Sequence, residues 1–151
     1  MEHDAADPFD LARFLAAQEG VYDGVRGELG RGRKTGHWIW FIFPQIEGLG
    51  RSDLSHYYAI SSLNEARAYL AHPVLAARLR DCASLVLATE GRTAEGIFGA
   101  VDAMKLRSSM TLFHHAAPDE PVIREVLERF FGGIPDPATE ARLSATREDS
   151  S

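Results

Sequence analysis

Of the sixteen basic residues in this chain, fourteen are arginine and two are lysine, Lys34 and Lys105. A chain that uses arginine as its default cation, yet places a compact ammonium at two positions, invites a search for acceptors around them; chance is the alternative explanation. Lys105 lies in DAMKLRSSMTLFHHAA, where Ser108, Ser109 and Thr111 follow within two turns. Hydroxyls compete for backbone bonds and are mediocre helix formers, so three of them together ask for a reason. Lys105 and Ser109 stand at i, i+4 and share a helix face. An ammonium beside hydroxyls suits a phosphate or carboxylate oxygen. A solvated helix surface is the competing reading.

Lys34 lies in GRGRKTG, where Arg31, Arg33 and Lys34 sit between three glycines. The loop resembles a phosphate-binding loop only loosely, because Arg33 stands where such a loop needs glycine before Lys-Thr. Next comes GHWIWFIFPQIEGLG, with both tryptophans of the chain. Trp38, Trp40 and Phe43 offer flat faces, Gln45 an amide, and His37, His56 and Tyr57 further polar groups. Rings with a few polar groups make a nucleobase or sugar pocket, although any single aromatic is more often core. In a helical turn, positions 38 and 40 differ by about 200° around the axis, so one tryptophan faces inward and the other outward.

These residues need elements to hold them. Asp7, Pro8 and Asp10 signal a helix start, and an apolar stripe from Leu11 to Leu29 carries the helix to about Gly30, with Gln18 as a polar intruder. The aromatic run reads as one or two turns ending before Pro44, and residues 45–58 as loop with one helical turn. Ser62 and Glu65 form a capping box for a helix to about His72. Pro73 opens another, closed by Gly91, in which Cys82 sits on the core stripe. A short turn at 94–98 precedes a helix capped by Asp102. Asp119 caps the next helix and Asp136 a last short one. The expected fold is all-α: a compact multihelical single domain, 7–143, of about six helices without significant sheet, and flexible termini at 1–6 and 144–151.

Composition narrows the function. A chain of 151 residues suits one core, and 45% hydrophobic with 25% charged residues is ordinary for a globular protein. The net charge of −6 disfavours nucleic-acid binding. No apolar run is long enough to span a membrane, the acidic start is unlike a secretory signal, and one cysteine permits no internal disulfide, so a cytoplasmic location is expected. His114 and His115 point to different sides of a helix, and no paired metal-ligand spacing occurs, so neither metal nor cofactor is expected.

GRKTGHWIWFIFPQIEGLGRS, HYYAISSLNEARAYLAHPVLAARL and IFGAVDAMKLRSSMTLF resemble the bacterial family known as domain of unknown function 1810, over roughly residues 9–143. The resemblance implies a compact, cytoplasmic, all-helical domain and brings no established activity. Some relatives carry the label calpastatin, a disordered repeat inhibitor whose repeats and composition this chain lacks. More distantly, HYYAISSL and HPVLAARL followed by SSMTLF are similar in layout to the NADAR (YbiA-like) proteins. That similarity implies an N-glycosidase acting on ADP-ribosyl or riboflavin-pathway intermediates. Those proteins have glutamate before their His-Tyr pair, whereas Ser55 stands there in this chain, and an oxocarbenium-like transition state wants a carboxylate.

The functional expectation is a binder of a phosphorylated nucleotide-like or ADP-ribose-like small molecule, with N-glycosidase activity as its extension. Trp38, Trp40 and Phe43 would stack. Arg33, Lys34, Lys105, Ser108 and Ser109 would hold phosphate. Gln45, His37, His56 and Tyr57 would orient the ligand. A shared site requires the 30–58 segment and the 105–115 helix to meet. The alternative is a protein-interaction or homo-oligomeric module in which the aromatic run is an exposed patch.

Overall fold

The computed structural model describes residues 7–150, with side chains described to Ala145. Among the described residues there are ten helices and no strand, so the chain is all-α as expected, with more elements than six. The extra number comes from local breaks. The long first stripe divides into α1 (Ala12–Gln18) and α2 (Tyr22–Gly30), because Gly20 takes φ +78°, a left-handed conformation that stops a helix at little cost for glycine. Three short helices, α3 (Ile39–Ile42), α4 (Asp53–Tyr57) and α7 (Ala94–Phe98), occupy the connections. The other elements are α5 (Leu63–Ala71), α6 (Pro73–Ala88), α8 (Ala100–Ala116), α9 (Pro121–Phe131) and α10 (Pro137–Ser150). The flexible tail expected from residue 144 thus begins inside α10, and residues 1–6 and 151 lie outside the described residues.

α8 is the hub. It packs on α3, α5, α7, α9 and α10. Six consecutive residues, Ser108 to Phe113, are therefore buried, so the polar face expected to hold a ligand phosphate, with solvent as the competing reading, is enclosed. Two of its three hydroxyls are used by the fold. Ser108 Oγ donates to Met104 O and to Asp136 Oδ2, each at 3.1 Å. Thr111 Oγ1 donates to Arg107 O and accepts from Asp136 N at 2.9 Å. Asp136 also caps α10, accepting from Thr139 N at 3.0 Å. Asp102 does not cap α8; the helix starts two residues earlier from Gly99 at φ +81°, which frees the Asp102 carboxylate.

Buried polar groups hold the aromatic segment in place. Gln18 is buried on α1; its Nε2 donates to Phe41 O at 2.8 Å and its Oε1 accepts from Arg78 at 3.1 Å. Ser62 caps α5 through Glu65 N, but the Glu65 carboxylate turns to Ser61 N at 2.9 Å and to Arg13 at 2.9 Å, so only half of the capping box forms. Arg13 reaches the carbonyls of Tyr57 and Ala59 as well. A single parallel bridge, Ile46 to Ile60, then lays the loop after Pro44 beside this segment. No helix among the described residues is long and apolar enough to cross a membrane.

Candidate functional site

The two lysines meet. Lys34 Nζ lies 2.7 Å from Asp102 Oδ2, and Lys105 Nζ lies 3.9 Å from Asp102 Oδ1. Each ammonium also sits over a tryptophan, Lys34 at 5.0 Å from the Trp38 ring and Lys105 at 4.9 Å from the Trp40 ring. The Lys34 side chain is only 6% exposed, whereas that of Lys105 is 21% exposed. Two cations thus share one carboxylate, leaving the cluster with about one unit of net positive charge, carried by the more accessible lysine.

Trp40 forms one wall of a crevice shared with Gln45, Gly48, Gly50, Ser55 and Tyr58, whose enclosed volume is about 10 Å³, the space of a single water. Trp40 Nε1 and Ser109 Oγ are buried without a hydrogen-bond partner among the described residues. An indole N–H donates only, and leaving it unmatched costs about 1–3 kcal/mol. The loop fits this wall closely. A Cβ on Gly50 would collide with Ser55, and one on Gly48 would lie 2.6 Å from the Arg142 guanidinium carbon.

The remaining expected site residues separate into two groups. Phe43 is fully buried and Trp38 is 4% exposed, packed on Phe43 and Phe98; both are core, with no face open for stacking. Arg33, His37, His56 and Tyr57 are exposed, and none lines the Trp40 crevice. Ser108 faces Asp136. The glycine loop does not offer its amides outward: Lys34 N donates to Ile97 O, and Thr35 N and Gly36 N both donate to Glu28 Oε1 at 2.7 and 2.8 Å. Trp38 Nε1 joins them at 2.9 Å. Burial pushes the Glu28 carboxyl up, but these donors outweigh it and hold the group below its ordinary value. Asp102 and Glu28 were thus missed as site residues. The signal for Glu28 was a carboxylate just before a loop crowded with N–H donors; Asp102 was read as a helix cap.

A larger cavity, about 390 Å³, opens between α8, α9 and the start of α10, with His114, His115, Arg124, Glu128 and Glu140 on its walls. His115 Nε2 is paired with Glu140, and His114 Nδ1 is buried without a partner among the described residues. No cluster of three or more histidine, cysteine or acidic side chains positioned to hold a metal ion occurs among the described residues.

A family model described as protein of unknown function (DUF1810) matches residues 8–143. The crystal structure of the conserved hypothetical protein Rv1873 from Mycobacterium tuberculosis is similar to this chain, with a TM-score of 0.90 and 51% sequence identity, over 91% of this chain and 99% of that one. No curated protein matches. With the match running from the first turn of the fold to Leu143 on α10, this chain belongs to the DUF1810 family.

Proposed function

We propose that this protein binds a small anionic, phosphate-bearing ligand of the nucleotide type, with Lys105 and Trp40 as its principal contacts. The observation that carries this reading is the excess of donors over acceptors. Among the described residues the Lys34 and Lys105 ammoniums share Asp102 as their one carboxylate, with Gly36 O as a further acceptor for Lys34, while Trp40 Nε1 and Ser109 Oγ have no partner. A ligand rich in acceptor oxygens supplies what is missing, and the half-exposed Trp40 ring beneath Lys105 offers a surface to the rest of it. The crevice admits one ligand oxygen, and the body of the ligand lies outside. No hydrolytic step belongs to the proposal, because no carboxylate lines the crevice.

The test is calorimetric titration of the full chain with inorganic phosphate, AMP and ADP-ribose, repeated on Lys105→Met, which keeps the stem and removes the charge. Saturable binding that weakens with added salt, and weakens at least tenfold in Lys105→Met, is expected. Absence of binding by all three ligands, or equal binding by the variant, removes the reading.

The alternative of an interaction module has one observation in its favour. Val101 and Met104 are 68% and 65% exposed on the first turns of α8, beside Asp102 and Lys105. The aromatic run itself is mostly enclosed and supplies no such patch. A scattering mass equal to one chain, unchanged in Met104→Asp, counts against this alternative.

A further inference from the structure

We infer that the groove between α2 and the Gly36–Phe41 segment is a binding site for a primary alkylammonium group, with the Glu28 carboxylate as its counter-ion. The groove is distinct from the Trp40 crevice. It encloses about 310 Å³, and its walls include Val21, Gly24, Glu28, His37, Trp38 and Phe41.

Three features select a cation. First, the Glu28 carboxylate has no ion pair among the described residues. Its Oε1 accepts from two backbone amides and the Trp38 indole, and these donors favour the charged form. The nearby Lys34 is already matched by Asp102 at 2.7 Å. Second, Glu28 stands in the last turn of α2, where the helix dipole disfavours an anion and which itself holds no basic residue. Third, the other walls suit an alkylammonium stem: aliphatic surface from Val21, the edge of the buried Trp38, and the partly open Phe41, whose ring attracts a cation. Glu28 Oε2 takes none of those three bonds and lies beside Gly36 on the groove wall, where the ligand's N–H donors would reach it.

The groove exists because Gly24 has no side chain. A Cβ added there would meet nothing within 4 Å, whereas one added at Gly36 would lie 2.9 Å from the Trp38 ring. The groove is therefore open on the α2 side and closely packed on the loop side. Glycine inside a helix costs about 1 kcal/mol relative to alanine, so an open groove is maintained against helix propensity.

The experiment is isothermal titration of the full chain with n-butylammonium chloride, and in parallel with butan-1-ol, which has a similar stem without the charge. The wild type is expected to bind the ammonium saturably and at least tenfold more tightly than the alcohol. Gly24→Leu fills the groove with a better helix former, so it is expected to melt no lower than the wild type and to lose ammonium binding. Glu28→Gln is expected to lose the preference for ammonium over alcohol, while Lys105→Met retains it, which separates this site from the anion site. No ammonium binding by the wild type, equal affinity for the alcohol, or full binding by a folded Gly24→Leu overturns the inference.

Discussion

Asp102→Asn separates stability from affinity, because the two respond in opposite directions. Asp102 neutralises a lysine that is 6% exposed at its side chain. Removing one partner of a buried ion pair costs about 3–5 kcal/mol. Lys34 keeps its bond to Gly36 O and its place over Trp38, and the asparagine oxygen still accepts; the expected loss is therefore about 2–3 kcal/mol, or about 5–10 °C in melting temperature for a chain of this length. Affinity moves the other way. The lost carboxylate lies 3.9 Å from Lys105 Nζ, so an anion on that ammonium sits about 7 Å from the removed charge. At an effective dielectric of about 20–40, that repulsion is about 1–2 kcal/mol, and its removal tightens binding by about 5–30-fold. Thermal melts and calorimetry with AMP at two salt concentrations measure both quantities, and the gain shrinks as salt rises. A variant that binds AMP no better than the wild type refutes the electrostatic argument. A variant that melts like the wild type refutes the view that Asp102 holds the buried lysine.

Three further outcomes follow from named contacts. Glu28 titrates below its ordinary value of 4.5 in the folded chain, so its stabilising contribution is complete above that pH and is lost as pH falls through the folded value; melting temperatures measured against pH should show Glu28→Gln less stable near neutrality, with the gap closing in acid. Gly50→Ala places a Cβ on Ser55 Oγ and 2.5 Å from Ser55 Cβ, and should cost about 1–3 kcal/mol in denaturant melts, less than additively when combined with Ser55→Gly. Burial pushes the Cys82 thiol up to about 12, so it should resist a thiol reagent at pH 8 in the folded chain and react on unfolding; fast labelling of the native protein contradicts its place in the core.

Much of the architecture was legible because it depends on near neighbours. Pro73 at the head of α6, Ser62 as the cap of α5 and the core position of Cys82 follow from spacing and side-chain chemistry, and each stands in the structure as expected. The aromatic run reads correctly as one turn with core on one side: Ile39, Ile42 and Phe43 are enclosed, while Trp40 and Phe41 remain partly open. Two local signals misled. Asp102 is a good capping type, but a glycine able to take positive φ stood three residues earlier and started the helix first. Ser108 and Thr111 read as a polar face open to a ligand or to solvent, because nothing local reveals that the loop before α10 folds back and brings Asp136 onto them.

The sequence by itself determined the helical class, the positions of most helix ends and the scarcity of lysine, since these rest on propensity, capping and composition within a few residues. Only the tertiary structure decided that Lys34 and Lys105, far apart in the chain, close on one carboxylate; that the glycine loop spends amides on Glu28; and that Trp40, unlike Trp38 and Phe43, is left partly open. The physical reason is that a polar group's role depends on which partner reaches it once water is excluded, and those partners come from distant helices whose packing no local pattern specifies.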